Sequence, residues 1–127
     1  MSLRSPLARA LYHGAARDGV GHWWVQRVTA VALAPLALWL TASLLALPDG
    51  YRAVTSWIGA GVHPVLLALT MLLALWHSWL GLQVVIEDYV HGFLTKTCAL
   101  LLSTFAHGLL AASALYAVLR VALRSAT

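Results

Sequence analysis

Charge is what this sequence has least of. Only 9% of its 127 residues are Asp, Glu, Lys or Arg, against about a quarter in soluble domains, and 61% are apolar. That balance excludes a water-solvated globular domain and makes lipid the solvent. Cysteine is nearly absent as well. The single Cys98 rules out an intrachain disulfide and any cysteine-based metal or iron–sulfur site, and its simplest use is as a small packing residue. There is no glycine-rich nucleotide loop, no internal repeat, and no low-complexity tract beyond a Leu/Ala bias. Ten-residue alternating segments, which a closed barrel needs, are also missing. The net charge of +4 is scattered at the edges of apolar runs and not clustered on a soluble module, so nucleic acid is not an expected partner.

What is present is three long stretches without charge. No charged residue occurs for 20 positions from Val28 to Leu47, for 29 from Ile58 to Ile86, or for 23 from Thr97 to Leu119. About 20 apolar residues cross a hydrocarbon core as a helix, and lipid offers no partner to open backbone, so each run predicts one transmembrane helix. The expected fold is all-α and integral to the membrane, with helices over about 24–47, 62–89 and 96–121 in a domain of residues 23–127. The first run is too long, and begins too late, to be a cleavable signal core.

Residues 1–22 read as a polar, basic arm carrying Arg4, Arg9 and Arg17, lying on the membrane or against a partner. Pro48, Asp49 and Gly50 stop the first helix. Tyr51 to Trp57 then suits a short interfacial helix with its aromatic ends at headgroup level. Pro64 fits the first turn of the second crossing, and the short link from His91 to Thr95 makes the second and third crossings antiparallel neighbours. Three crossings put the termini on opposite sides. Arg4, Arg9, Arg17, Arg27 and Lys96 fall on the N-terminal side and Arg52, Arg120 and Arg124 on the other. Five against three favours a cytoplasmic N-terminus.

Titratable groups inside a membrane are costly and mark functional positions. His77 lies deep in the second run, and Asp88 follows eleven residues later, about 20° from eclipsed and about 16 Å along the axis. One helix face thus carries His77, Gly81 and Asp88. A neutral imidazole at that depth has three uses: a hydrogen bond to a neighbouring helix, a proton relay, or ligation of haem iron. Gly81 leaves room for a flat ring or another helix to approach. Arg27, at the head of the first crossing, is either a snorkelling interfacial arginine or a partner for a carboxylate such as a haem propionate. Asp88 and Tyr89 suit a helix end and an aromatic belt, and equally a quinone headgroup that needs donors and protons. His107 in the third run falls at a depth similar to that of His77, so the two are also placed to ligate one haem within this chain, or His107 bonds across the bundle.

The stretch from His77 to Tyr89, with a glycine four residues after the histidine and Asp-Tyr eleven and twelve after it, resembles the signature of the succinate dehydrogenase membrane-anchor family. Arg27-Val28-Thr29-Ala30 is similar to that family's Arg-x-Thr-Ala motif at the head of its first helix. The resemblance spans about residues 20–122. It implies a non-catalytic anchor subunit of succinate:quinone oxidoreductase, in a bacterial inner membrane, whose helices share a bundle with a second, cytochrome b anchor subunit. His77 would be an axial ligand of haem b, the other ligand coming from that second subunit, with Arg27 near a propionate. Tyr89 would bond ubiquinone, with Asp88 ordering the quinone site or its protons. Iron–sulfur and flavoprotein subunits would be the soluble partners. His107 is not part of the resemblance. Two rival classes stay open: a self-contained cytochrome b with haem between His77 and His107, and a purely structural membrane subunit.

Overall fold

The computed structural model describes residues 14–125, with side chains for 20–124. Among them are four helices: α1 (Gly14–Ala46), α2 (Tyr51–Ile58), α3 (His63–Tyr89) and α4 (Phe93–Ser125). Three contain spans long and apolar enough to cross a membrane, Val20–Ala46, His63–Tyr89 and Phe93–Arg124. At 1.5 Å per residue each exceeds a hydrocarbon core of about 30 Å. The first helix begins at Gly14, ten residues ahead of the expected start near 24, so helix precedes the apolar span that begins at Val20. Residues 1–13 of the expected basic arm lie outside the described residues. The fourth helix runs from Phe93, not 96, to Ser125, not 121.

The crossings form an open row. α3 packs against α1 on one flank and α4 on the other, while α1 and α4 do not meet. This follows from what lines the contacts. Buried positions are few and modest in size: Leu67, Thr70, Leu80 and Ile86 on α3, Thr29 on α1, and Ser103 and Val118 on α4. Small and hydroxyl side chains let membrane helices approach closely, since apolar surface gains nothing by leaving lipid. No described side chain is fully buried, and most large apolar residues face outward.

The loops tie the row together at its two ends. At the end away from the N-terminus, Gly50 with φ +121° and Gly61 with φ +52° turn the chain into and out of α2, a conformation that favours glycine. Trp57 of α2 stacks on Trp39 of α1 at 5.7 Å and on His63 of α3 at 5.0 Å, and His63 Nδ1–H donates to the Trp57 carbonyl at 2.9 Å. This three-ring cluster holds α2 against the ends of two crossings. At the other end, Lys96 Nζ donates to the Glu87 carbonyl at 2.8 Å, placing a cation on the negative C-terminal end of α3.

Candidate functional site

His77 lies 14 residues after the start of α3 and 12 before its end, near the middle of the row. Its ring points at α1, where Gln26 and Thr29, one turn apart, share the face that packs on α3. The Thr29 hydroxyl donates its one hydrogen to the carbonyls of Val25 at 2.9 Å and Gln26 at 3.0 Å, a bond local to the helix. Its lone pairs then accept from His77 Nδ1–H at 2.9 Å. In this tautomer Nδ1 carries the proton and Nε2 is bare. Nε2 accepts from the Gln26 amide N–H at 3.2 Å, while Gln26 Oε1 is buried and has no hydrogen-bond partner.

Gly81, one turn beyond His77, completes this cluster. A Cβ built on Gly81 would sit 3.5 Å from the Gln26 amide nitrogen, so the amide fills the space that the glycine leaves beside the imidazole. Thr29 is the most buried polar residue here, at 4% exposure. His22, one turn before Gln26 on the same face of α1, buries an Nε2 that likewise lacks a partner.

The other expected site residues are placed differently. Arg27 follows Gln26 and therefore lies level with His77, about 10 Å inside the start of the apolar span at Val20. Expected at the same membrane edge as Asp88 and Tyr89, it is instead about 16 Å from their level. It is exposed, its guanidinium carbon 5.4 Å from the centroid of the Trp23 ring, a cation–π distance, and it makes no ion pair among the described residues. Asp88 and Tyr89 stand exposed at the C-terminal end of α3, Tyr89 at 79%. His107 turns to the opposite flank of α3 from the α1 contact. Its Nδ1–H donates to the Ser103 carbonyl of its own helix at 2.8 Å, and Nε2 faces the Ser78 hydroxyl at 3.4 Å. Beside it Trp79 Nε1–H donates to Thr104 at 3.2 Å. Geometry thus gathers His77, Gly81, Gln26 and Thr29, and separates them from His107 and from the Asp88–Tyr89 end.

Gln26 and Thr29 are the residues that the sequence reading passed over as partners of His77. Their three-residue spacing, which puts both on one helix face, was the available signal. It lacked only the identity of the facing helix.

Residues 1–119 match the family described as succinate dehydrogenase/fumarate reductase transmembrane subunit. Among curated proteins, the chain is similar to the succinate dehydrogenase hydrophobic membrane anchor subunit of Rickettsia bellii, 34% identical over 68% of this chain and 70% of that protein. It is also similar to the succinate dehydrogenase membrane anchor subunit of Reclinomonas americana, 32% identical over 68% and 75%. A third relative, the hydrophobic membrane anchor subunit of Paracoccus denitrificans, is 28% identical over 87% and 85%. No solved structure matches the chain. With three apolar crossings, a family match over residues 1–119 and these relatives, the chain belongs to the family of succinate dehydrogenase hydrophobic membrane anchor subunits.

Proposed function

We propose that this chain anchors a succinate:quinone oxidoreductase in the bacterial inner membrane and supplies His77 as one axial ligand of a b-type haem. The second ligand comes from a second anchor, the cytochrome b subunit. The observation that carries this reading is the Thr29–His77 hydrogen bond. Metal-ligating histidines almost always donate their other ring N–H to a fixed acceptor, which sets tautomer and orientation. Thr29 is placed to be that acceptor, which leaves the one lone pair of Nε2 to the Gln26 amide or, in its place, to iron.

The residues around His77 fit a haem in two further respects. The Gln26 amide, the one group among the described residues bonded to Nε2, sits on a flexible side chain and has an orphaned buried oxygen, so swinging away costs one modest hydrogen bond and relieves one unsatisfied group. Arg27, exposed at the level of His77, offers a guanidinium that suits a propionate carboxylate. An arginine at this depth is expensive when unpaired, which favours a carboxylate partner from outside the chain. Bound haem supplies a one-electron redox centre.

Tyr89 and Asp88 form the quinone end of the proposal. The exposed phenol of Tyr89 donates to a ubiquinone carbonyl and the Asp88 carboxylate orders the headgroup or its proton supply, where the iron–sulfur subunit meets the membrane. The iron–sulfur and flavoprotein subunits oxidise succinate; this chain does no chemistry on it. The open row, with α1 and α4 apart, leaves helix faces for the second anchor. The excess of Lys/Arg on the N-terminal side supports a cytoplasmic N-terminus.

An intrachain haem between His77 and His107 is the weaker reading, because the two imidazoles face opposite flanks of α3. Purifying the tagged chain from native membranes tests the proposal. Flavin, iron–sulfur clusters, a second small membrane subunit and a b-type reduced-minus-oxidised spectrum are expected together. Isolated chain that holds one haem by itself would refute it in favour of the self-contained cytochrome, and haem-free assemblies would refute the His77 assignment.

A further inference from the structure

The opposite end of the molecule from Asp88 and Tyr89 carries a second polar feature that the proposed function does not use. A cleft of about 540 Å³ opens between α2 and the last turns of α4, lined by Tyr51, Thr55 and Ser56 on α2 and by Tyr116, Arg120 and Arg124 on α4. The spacing explains it. Tyr116, Arg120 and Arg124 recur every fourth residue and share one face, Ala117 between them leaves the cleft open, and Tyr51 and Thr55 are likewise one turn apart. Among the described residues no acidic side chain lines it; Asp49, two residues before Tyr51, is outside the lining. The C-terminal end of α4 carries partial negative charge, which Arg124 in the last turn offsets, leaving Arg120 as net positive charge.

We propose that this cleft binds the headgroup of an anionic phospholipid in the leaflet opposite Asp88 and Tyr89. Guanidinium groups present forked donors that match phosphate oxygens, and the exposed phenols of Tyr51 and Tyr116 sit at the headgroup level where tyrosine concentrates. The hydroxyls of Thr55 and Ser56 are already donated to backbone carbonyls of Tyr51 and Arg52, at 3.0 Å and 2.7 Å respectively. What they offer the cleft is lone pairs, which accept from a hydroxylated headgroup such as glycerol.

A free phosphate ion shares the charge chemistry but fills little of the space. From Tyr116 to Arg124 the cleft runs about 12 Å along the helix, reaching inward from the end of the apolar span at Arg124. An occupant that extends from headgroup level toward the acyl region matches that length.

The test uses the intact assembly carrying the full chain, purified in detergent and stripped of lipid. Native mass spectrometry follows binding of phosphatidylglycerol, phosphatidylcholine or inorganic phosphate. Wild type is expected to prefer phosphatidylglycerol to phosphatidylcholine by up to about thirtyfold, as two near-surface cations imply, and the double variant Arg120→Gln/Arg124→Gln to lose that preference. Arg52→Gln, a cation of the same leaflet outside the cleft, should keep it. Equal binding of the two lipids by wild type overturns the proposal without any variant. Retained preference in the double variant overturns it as well, and displacement of phosphatidylglycerol by millimolar inorganic phosphate makes the cleft a soluble-phosphate site instead.

Discussion

Replacing Thr29 by valine isolates the hydrogen bond on which the His77 assignment rests. Valine keeps the shape of threonine but removes the oxygen that accepts from His77 Nδ1–H at 2.9 Å. Leaving a buried donor unpaired costs about 1–3 kcal/mol, and at 4% exposure water does not replace Thr29. The imidazole has an escape: it moves its proton to Nε2 and donates to Gln26 Oε1, the buried oxygen that has no partner in the parent chain. That rearrangement spares the fold, but it takes the lone pair off the nitrogen that would bind iron. Loss of an outer-shell partner typically weakens metal binding about 10–100-fold, or about 1.4–2.8 kcal/mol. The assay is haem per chain in the purified assembly, followed during transfer to apomyoglobin. Thr29→Val should lose haem at least tenfold faster than wild type with assembly intact, while Thr29→Ser, which keeps the hydroxyl, should behave as wild type. Equal haem retention in Thr29→Val and wild type would refute the reasoning.

Three further outcomes follow from the geometry. His107→Ala should leave haem content and spectrum unchanged, because its nitrogens are committed to Ser103 and Ser78; loss of haem would revive the intrachain site. Tyr89→Phe should lower quinone reductase kcat/KM by about 2–10-fold, the worth of one neutral hydrogen bond, with haem content preserved, and unaltered quinone kinetics would remove Tyr89 from the site. Trp57→Ala breaks both ring stacks that hold α2, each worth about 0.5–1.5 kcal/mol. Faster proteolysis between Pro48 and Val62 is the expected result, and protease resistance equal to wild type would contradict the anchoring role of the cluster.

The helices were legible because charge is so costly in lipid that its absence over 20 or more positions leaves one interpretation. Pro48-Asp49-Gly50 and Pro64 marked boundaries by local backbone chemistry, and Tyr51–Ile58 formed the short helix expected between them. The start of α1 at Gly14 was hidden by Gly19 and Gly21, which lower helix propensity but do not stop a helix whose backbone bonds continue into an apolar crossing. Which helix stands in the middle was not legible, since three Leu/Ala-rich crossings carry no marked difference between their faces. That gap hid Gln26 and Thr29 as partners of His77, and it set Arg27 at the wrong level. A residue's distance from the end of its own apolar run does not fix its height against a neighbour whose helix begins elsewhere.

The most direct test of the account compares reduced-minus-oxidised spectra of the assembly purified with wild-type chain and with His77→Ala, normalised to flavin. A ligand role predicts that the b-type signal is lost or shifted in His77→Ala while the flavoprotein and iron–sulfur subunits still co-purify. An unchanged b-type spectrum at full occupancy would contradict it and leave His77 as a helix-packing histidine held by Thr29 and Gln26.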